Sequence, residues 1–413
     1  MKVLVKMGRF SGGAPLSALE YIKILKKYGY DISVEAVRHN EEIEKKFINE
    51  GIPIKFTENL DIITRKFQFA TLKEYLLETR ENILMNKIDL IISVGDGRLV
   101  YFLSHLSTTL KKKYIGVIAG GNSKVVQNSK HWKADKIVCF SGENKADIIK
   151  EGFPKEKILV LSNRISVEKD PTYLEHYEEI NQVKPLNFLL TSRIDNNKIN
   201  SIKSTIDLVK KLNENQLNVV LKIAGDGEKF REIKNIAETV NSEIGQEIII
   251  LLGHISEMRE YFLEAHVVLG KGRSVIEPIM MNRIGIIINE ESKFSLYNSE
   301  SAENLYYFNF SGRNISRESS EKHIFELVRN LQMKKIDLKK YFESNNYIIK
   351  RYHSDYLEEN FINILNEVTV RKSNNFNVKK LKFEQFLLNF YISKYYIFNV
   401  KIFLKRNFKF KKL

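Results

Sequence analysis

Two cations five residues apart are the strongest candidates for binding a polyanion. Arg193 and Lys198 lie in the stretch Thr191–Lys198, which follows an apolar run predicted to be a β-strand. If that strand belongs to a parallel sheet, both cations lie at its carboxyl end, where open α/β sheets bind their ligands. An arginine offers a bidentate fork and a lysine a point charge, which together suit a diphosphate. The alternative is that both are solvated loop cations.

A glycine-rich segment, Val268–Pro278, carries the largest group of candidate binding residues. Its pattern predicts a strand, a turn containing Gly272, and a helix that begins near Arg273 and Ser274. Backbone N–H groups at a helix N-terminus and the helix dipole both favour an anion. Glu277 falls within the first turns of that helix, where a carboxylate can accept hydrogen bonds from ribose hydroxyls. The alternative for Glu277 is a helix-start carboxylate that is favoured only by the dipole.

Three further glycine turns follow predicted strands and let the backbone approach a ligand closely. They contain Gly12 with Gly13, Gly225 with its neighbours Asp226 and Gly227, and Gly253 with His254 and Ile255. Each turn is a weak signal by itself, because glycine turns without a ligand are common. The first turn lacks the G-x-G-x-x-G pattern of dinucleotide-binding proteins. His254 could equally be a turn residue without a ligand.

The elements that would position these residues alternate short apolar runs with amphipathic helices, in two series. The first series covers residues 1–165, a polar linker is predicted at 166–184, and the second series covers 185–345. Terminal helices at 346–370 are expected to cross back to the N-terminal domain. The pattern predicts an α/β fold with two doubly wound, Rossmann-like domains. The predicted strands are Lys2–Val5, Asp31–Val37, Leu90–Val94, Tyr114–Ile118, Lys136–Phe140, Ile158–Leu161, Asn187–Thr191, Val219–Ala224, Glu247–Leu251, Val267–Leu269 and Gly285–Ile288.

Composition excludes several classes of protein. With 413 residues, 43% hydrophobic and 28% charged, the chain has the make-up of a folded globular protein with more than one domain. Its single cysteine, Cys139, excludes an intramolecular disulfide and is interpreted as a packing thiol in a strand. No secretory signal and no membrane-spanning apolar stretch is evident, so a cytoplasmic location is expected.

The net charge of +15 is concentrated in the C-terminal tail. Residues 371–413 carry 12 Lys/Arg and one acidic residue, whereas the other 370 residues carry 54 basic and 50 acidic side chains. The tail also interleaves aromatic residues with its cations, which is typical of a segment that binds an anionic membrane surface. The alternative is a tail that packs on its own body or on a partner protein. Nucleic acid is not an expected partner, because phosphate binding would not explain the apolar stripe.

In order and spacing, these motifs resemble the GT-B glycosyltransferases of the retaining family-4 type, over roughly residues 1–368. The matching segments are the Gly12-Gly13 turn, Ala134–Ser141, Gly152–Ile158, Asn163–Ile165, Arg193 with Lys198, Gly225–Gly227, Gly253–Ile255 and Gly270–Glu277. The resemblance implies two domains that face a central cleft. It also implies that Arg193 and Lys198 bind the donor diphosphate, that Gly253, His254 and Ile255 flank the base, and that Glu277 binds ribose.

The sequence departs from that family at two places. The family's signature is Glu-x7-Glu with glycines one and three residues after the first Glu; Gly270, Gly272 and Glu277 match it, but Leu269 occupies the first Glu position. In the family that first Glu contacts the donor sugar. Many members also carry a histidine after the fourth strand, where this chain has Gly120-Gly121-Asn122, with His131 nearby in sequence.

The activity implied by the resemblance is transfer of a sugar, with retention, from a UDP- or GDP-sugar to a glycan acceptor. A lipid-linked acceptor in cell-surface polysaccharide synthesis is expected, with the protein peripheral on the inner face of the membrane. No cofactor and no obligatory metal are expected. A GT-B scaffold that binds nucleotide as a regulatory partner without transfer is the first alternative, and sugar-nucleotide epimerisation is the second.

Overall fold

The computed structural model divides the chain into two compact units, each built on one β-sheet. It describes residues 1–10, 12–37, 40–57, 69–121, 123–162, 164–168, 170–180, 184–315, 321–356 and 358–369. Unit 1 comprises Met1–Phe140, Asn144–Leu161 and the described residues from Glu358 onward; unit 2 comprises Ser141–Glu143 and the described residues from Ser162 to Tyr356. Within these ranges no helix is long and apolar enough to cross a membrane.

The described residues of unit 1 form seven strands and five α-helices before its last segment. They are β1 (Lys2–Arg9), α1 (Gly13–Lys27), β2 (Asp31–Val37), α2 (Glu41–Asn49), β3 (Ile54–Thr57), α3 (Phe69–Met85), β4 (Leu90–Gly95), α4 (Gly97–Thr109), β5 (Lys113–Ile118), β6 (Lys136–Cys139), α5 (Gly142–Lys150) and β7 (Ile158–Val160). All neighbouring strands are parallel, in the order β3-β2-β1-β4-β5-β6-β7.

The strands of unit 1 form because their apolar runs are buried by helices. In β4 and β5 almost every residue is buried, which is typical of central strands of a parallel sheet covered on two faces. Asp96 begins α4 as its N-cap, since its carboxylate accepts from the backbone N–H groups of Arg98 and Leu99 at 3.0 and 3.2 Å. Cys139 is buried in β6, which agrees with the interpretation of a packing thiol.

Unit 2 contains six strands and nine helices among its described residues. They are α6 (Tyr173–Glu178), β8 (Leu186–Thr191), α7 (Ile199–Glu214), β9 (Val219–Ala224), α8 (Phe230–Ile244), β10 (Ile249–Gly253), α9 (Arg259–Glu264), β11 (Val267–Gly270), α10 (Arg273–Met280), β12 (Ile284–Ile288), β13 (Phe294–Leu296), α11 (Ala302–Tyr307), α12 (Glu321–Gln332), α13 (Leu338–Glu343) and α14 (Asn345–Tyr352). The strand order is β10-β9-β8-β11-β12-β13, and only the β12–β13 pair is antiparallel.

The segment 166–184, predicted as a linker, contributes to the packing of unit 2. It includes α6, and Tyr177 in that helix is buried in the core of the unit. Asp170 is also buried, and its carboxylate accepts from the guanidinium of Arg283 at 2.6 Å. The last described helix, α15 (Glu358–Thr369), belongs to unit 1.

The prediction of an α/β fold with two Rossmann-like sheets is confirmed. In both units the strand order reverses at the first strand, between β1 and β4 in unit 1 and between β8 and β11 in unit 2. At such a reversal the loops on either side diverge and leave a crevice at the carboxyl ends of the strands. The loops at these two positions therefore define where a ligand of each sheet would bind.

Candidate functional site

The candidate site lies at the strand-order reversal of unit 2. The loop between β8 and α7 carries Arg193 and Lys198, and the loop between β11 and α10 carries Lys271 and Gly272. Strands β8 and β11 are paired in parallel, so both loops leave the same edge of the sheet. This edge is the position at which open α/β sheets bind ligands. The two predicted cations therefore lie where the sequence analysis expected them.

Two other predicted loops join this edge through backbone contacts. The N–H of Gly225, after β9, donates to the carbonyl of Gly253, the last residue of β10, at 2.7 Å. The N–H of Ile194 donates to the carbonyl of Asp226 at 2.9 Å, which connects the β9 loop to the β8 loop. A side chain at Gly225 would lie 1.8 Å from the carbonyl oxygen of Ser192, and its φ of +154° also favours glycine. Glycine is thus needed for the loops to meet.

The turn before α10 is held by the side chain of Ser274. Its hydroxyl accepts from the N–H of Lys271 at 3.2 Å and approaches the carbonyl of the same residue at 3.1 Å. A side chain at Gly270 would displace this hydroxyl, because an added Cβ would lie 2.5 Å from it. Gly272 has φ +56° and its N–H donates to the carbonyl of Phe310 at 2.8 Å. The turn is therefore fixed on both sides.

Glu277 and Arg273 contact each other within the first turns of α10. The Arg273 Nε donates to a carboxylate oxygen of Glu277 at 3.1 Å, and its Nη1 donates to the carbonyl of Arg164 at 3.0 Å. Both side chains are partly exposed, at 22% and 27%. In this structure the Glu277 carboxylate has Arg273 as a counter-ion, so a ribose would compete with or share that contact.

Leu269, which stands where the resembled family has a sugar-contacting Glu, is a core residue of unit 2. It is 0% exposed at the carboxyl end of β11 and belongs to the main apolar cluster of the unit. A leucine is accommodated here among apolar neighbours, whereas a carboxylate buried at this position would be costly unless it were paired.

A pair of lysines faces one carboxylate at this edge of the sheet. The Lys198 Nζ lies 2.7 Å from Oε1 of Glu290, and the Lys271 Nζ lies 3.6 Å from the same oxygen. Glu290 follows β12, so the three side chains come from the loops after β8, β11 and β12, which are neighbours in the sheet. Burial, and then the nearby charge of Lys198, lowers the pKa of Lys271 to about 8.

Lys271 and Glu290 were not identified as site residues from the sequence. Lys271 could have been noticed because it stands between Gly270 and Gly272, in the glycine turn before the predicted helix. Glu290 gives no comparable signal, because a Glu-Glu pair after a strand is an ordinary polar turn. Only the sheet order, with β12 next to β11, brings Glu290 to the lysines.

The remaining predicted residues of unit 2 are exposed or partly exposed. Arg193 is 73% exposed and lies 3.7 Å from the Asp195 carboxylate, which also accepts from the backbone N–H groups of Asn197 and Lys198, just before α7. His254 is exposed and Ile255 is partly buried, both in the loop after Gly253. These positions are accessible to a ligand at the carboxyl edge of the sheet.

In unit 1 the predicted turn residues Gly12 and Gly13 follow β1, one of the two strands at the corresponding reversal of that sheet. Gly12 has φ +73° and precedes α1, in which Gly13 is the first residue. Gly120 and Gly121 both have positive φ in the loop after β5. His131 is exposed, and its carbonyl is 3.0 Å from the Nε2 of His105.

The structure does not test every prediction made from the sequence. In the described parts of the chain, no group of three or more His, Cys, Asp or Glu side chains is arranged to hold a metal ion. The basic tail, residues 371–413, and Asn122 lie outside the described residues. The predicted membrane-binding surface therefore stays a prediction.

Known proteins match this chain in three-dimensional structure but not in sequence. No family model matches the sequence, and no curated protein matches it significantly. A glycosyltransferase from Rickettsia africae matches with a TM-score of 0.66 and 16% identity, over 90% of this chain and 99% of that one. Anabaena HepE in complex with UDP matches with a TM-score of 0.65 and 12% identity, over 89% and 100%. The fold is GT-B-like.

A third GT-B-like match is the lipopolysaccharide outer core galactosyltransferase WaaB in its apo form. Its TM-score is 0.58 and its identity 14%, over 89% of this chain and 99% of that one. The resemblance noted from the sequence motifs is thus confirmed at the level of the fold. At such identities the likeness shows the fold alone, because one fold carries many activities.

Proposed function

We propose that this protein is a glycosyltransferase that takes its sugar from a nucleotide-diphosphate donor. The observation that carries the proposal is the cationic edge of the unit 2 sheet, where Lys198 and Lys271 flank the strand-order reversal. Two ammonium groups beside a glycine turn and a helix N-terminus form a favourable environment for a diphosphate. Support also comes from the similar structures, of which HepE contains UDP and WaaB is named a galactosyltransferase.

In the proposed reaction the anomeric C–O bond to the donor's β-phosphate breaks, and negative charge grows on the departing diphosphate. Arg193, Lys198 and the N-terminus of α10 would stabilise that charge. Such preorganised groups act on charge that develops in the transition state and need no reorganisation at that moment. The oxygen of an acceptor hydroxyl then bonds to the anomeric carbon on the face that the diphosphate leaves, so the sugar keeps its configuration, and the hydroxyl proton passes to the departing diphosphate. We propose that this step needs no metal, because Arg193 and Lys198 neutralise the charge of the diphosphate.

The nucleoside part of the donor is assigned to the two flanks of the same edge. Glu277 is proposed to accept from ribose hydroxyls, in exchange for part of its contact with Arg273. Gly253, His254 and Ile255 are proposed to lie against the base, since Gly253 ends β10, the other two follow it, and the Gly253 carbonyl accepts from the N–H of Gly225. UDP or GDP is the expected product.

The second candidate function is a nucleotide-binding scaffold that does not transfer. The observation that favours it is Leu269, which is buried where the resembled family has a carboxylate for the donor sugar. Such a protein would bind the nucleoside diphosphate and lack turnover.

A panel of nucleotide sugars distinguishes these candidates. Incubation with UDP- and GDP-linked hexoses and N-acetylhexosamines is followed by measurement of released nucleoside diphosphate and of any epimerised sugar nucleotide. Release of UDP or GDP, increased by an acceptor, is the expected result. Binding of UDP or GDP without release would favour the scaffold, and a donor with an inverted sugar carbon would favour an epimerase. Absence of both binding and release would exclude the proposal.

We propose further that the acceptor is a glycan linked to a lipid and that residues 371–413 bring the protein to an anionic membrane surface. Each Lys or Arg close to such a surface contributes about 1 kcal/mol. Co-sedimentation with vesicles containing anionic lipid is measured for the full chain and for a chain that ends at Lys372. The full chain should sediment with the vesicles, and its binding should weaken with salt. Equal binding by the two chains would contradict this role for the tail.

A further inference from the structure

The cluster of Lys198, Lys271 and Glu290 contains two positive charges and only one negative charge. One carboxylate oxygen lies within 4 Å of two ammonium groups, at 2.7 Å from Lys198 and 3.6 Å from Lys271. A carboxylate carries one negative charge, so the cluster keeps a net positive charge. A diphosphate carries more charge and more acceptor oxygens than a carboxylate, and it would neutralise both lysines.

The exposures of the three side chains show which of them is replaceable. Glu290 is 62% exposed, whereas the lysine side chains are only 22% and 19% exposed. The ammonium groups thus lie on the protein side of the cluster and the carboxylate on the solvent side. A ligand arriving from solvent would meet the place that the carboxylate occupies.

The backbone around the cluster is fixed, which leaves the Glu290 side chain as the part that can move. Before α10, Ser274 holds the backbone of Lys271 at 3.2 Å. After β12, the Asn289 side chain accepts from the N–H groups of Glu291 and Lys293, each at 2.9 Å. Rotation of one exposed glutamate side chain is sufficient to vacate the two lysines.

The protonation properties of the cluster agree with two closely spaced cations. Burial, and then the neighbouring Lys198, lowers the pKa of Lys271, and the hydrogen bond from Lys198 lowers the pKa of Glu290. Glu290 therefore remains charged near neutral pH, as an occupant of a cationic site should.

We propose that Lys271 binds the donor diphosphate together with Lys198, and that Glu290 is a resident carboxylate which the diphosphate must displace. This inference rests on the proposed function, since the diphosphate is that of the nucleotide sugar. It adds a binding residue at a position that the resembled family's signature leaves unspecified, and a competitor that sets the affinity for the donor.

The test measures binding of inorganic pyrophosphate, UDP and GDP by calorimetry to the wild-type chain and to Lys271→Met, Glu290→Gln and the double variant. The neighbouring pair supplies matched controls, because Lys293 lies 2.6 Å from Glu291 in the same β12–β13 turn. Glu291→Gln and Glu290→Gln change the net charge equally, and so do Lys293→Met and Lys271→Met. General electrostatic attraction therefore affects each member of a pair alike.

Lys271→Met should weaken pyrophosphate and nucleoside diphosphate binding about 10-fold or more, the scale of one lost hydrogen bond to a charged group. Glu290→Gln should tighten binding roughly 3- to 10-fold, and this gain should shrink in the Lys271→Met background. The control variants Glu291→Gln and Lys293→Met should stay within about 2-fold of wild type, since surface charges contribute little.

The outcomes separate this inference from the proposed function. If wild type binds UDP or GDP but Lys271→Met and Glu290→Gln match their controls, the inference is wrong and the proposed function stands. If pyrophosphate binding changes as expected while wild type neither binds nor releases a nucleoside diphosphate, the anion site stands and the proposed donor is wrong. If wild type binds none of the three probes, both are wrong.

Discussion

Two lysine–glutamate pairs in this protein have nearly equal lengths and opposite surroundings. In unit 1 the Lys6 Nζ lies 2.6 Å from Glu35, with side-chain exposures of 4% and 8%. In unit 2 the Lys198 Nζ lies 2.7 Å from Glu290, with exposures of 22% and 62%. The first pair lies mid-strand on β1 and β2, and the second lies at strand ends. Distance alone therefore does not distinguish them.

The difference shows how a structural ion pair is distinguished from a binding site. Lys6 also donates to the Thr79 hydroxyl at 2.7 Å and lies 4.2 Å from the ring centre of Tyr75, while Asn82 donates to Glu35. Burial lowers the pKa of Lys6 in spite of the opposite charge of Glu35. Lys6 and Glu35 therefore match each other in charge and are hydrogen-bonded within the protein, whereas the unit 2 cluster has two lysines for one glutamate, and that glutamate is exposed to solvent.

The largest expected effect is on the stability of unit 1. Lys6→Met should lower the free energy of unfolding by about 3–5 kcal/mol, because it leaves the Glu35 carboxylate buried without its cation. Chemical denaturation followed by circular dichroism measures this loss. The double variant Lys6→Met/Glu35→Met should recover much of it, since replacement of a whole buried pair by apolar residues costs little. A single variant as stable as wild type would contradict the comparison.

The next effect is on turnover and leaves stability nearly unchanged. Lys198→Ala or Arg193→Ala should lower kcat by about 10²–10³, the cost of one preorganised contact to developing charge, or roughly 2.7–4 kcal/mol. The measurement is release of nucleoside diphosphate from the donor identified in the nucleotide-sugar panel. Lys229→Ala is the matched control, because Lys229 precedes α8 and pairs with Glu232 at 3.1 Å. Turnover near wild type in both Lys198→Ala and Arg193→Ala would exclude their proposed roles.

Most of the fold could be predicted because each central strand is an apolar run between helices. The segments Asp31–Val37 and Val219–Ala224 were predicted with the bounds that the structure has. Two strands were not predicted, namely β3 and β13, which have four and three residues and lie at sheet edges. Their short apolar patterns do not distinguish them from turns. The strand predicted at Glu247–Leu251 begins two residues later, at Ile249.

The candidate site could be predicted only in part, because its members come from separate loops. Arg193 and Lys198 were found since they follow a strand at close spacing. Lys271 and Glu290 depend on the strand order β8-β11-β12, which no local pattern contains. The contact between Arg273 and Glu277 follows from helical i,i+4 spacing. That the Glu277 carboxylate is already paired with Arg273, so that a ribose must compete for it, is evident only in the structure.

A smaller effect is expected from a buried histidine pair in unit 2, where burial lowers the pKa of a cationic group as it does for Lys6 in unit 1. The rings of His176 and His266 stack at 4.1 Å, and Nδ1 of His266 accepts from the backbone N–H of Asn187 at 2.9 Å. Burial, and then His176, lowers the pKa of His266 from 6.5 to about 3. Below pH 6.5 the unfolded chain therefore binds a proton at His266 that the folded chain does not bind. The contribution of His266 to the free energy of unfolding is fully present above pH 6.5 and is lost as the pH falls toward 3.

The loss should be roughly 1.4 kcal/mol for His266 one pH unit below its unfolded pKa. Denaturation at pH 7.5 and 5.5 measures it, and His176→Phe, which keeps a stacked ring without the second charge, should reduce the difference. His323→Gln, on the exposed side of α12, is the matched control and should leave the difference unchanged. Equal stability of wild type at both pH values would show that this buried pair carries no such penalty.

The smallest effect is the counterpart of the first. Lys198→Met makes the same chemical change as Lys6→Met, and it also removes a cation 2.7 Å from a glutamate. Because Glu290 is 62% exposed, water solvates its carboxylate after the lysine is lost, and Lys271 remains beside it. The free energy of unfolding should therefore change by only about 0–1 kcal/mol, as for surface ion pairs. A loss as large as that of Lys6→Met would show that the unit 2 cluster is needed for the stability of the fold. The inference that its lysines can exchange Glu290 for a diphosphate would then be wrong.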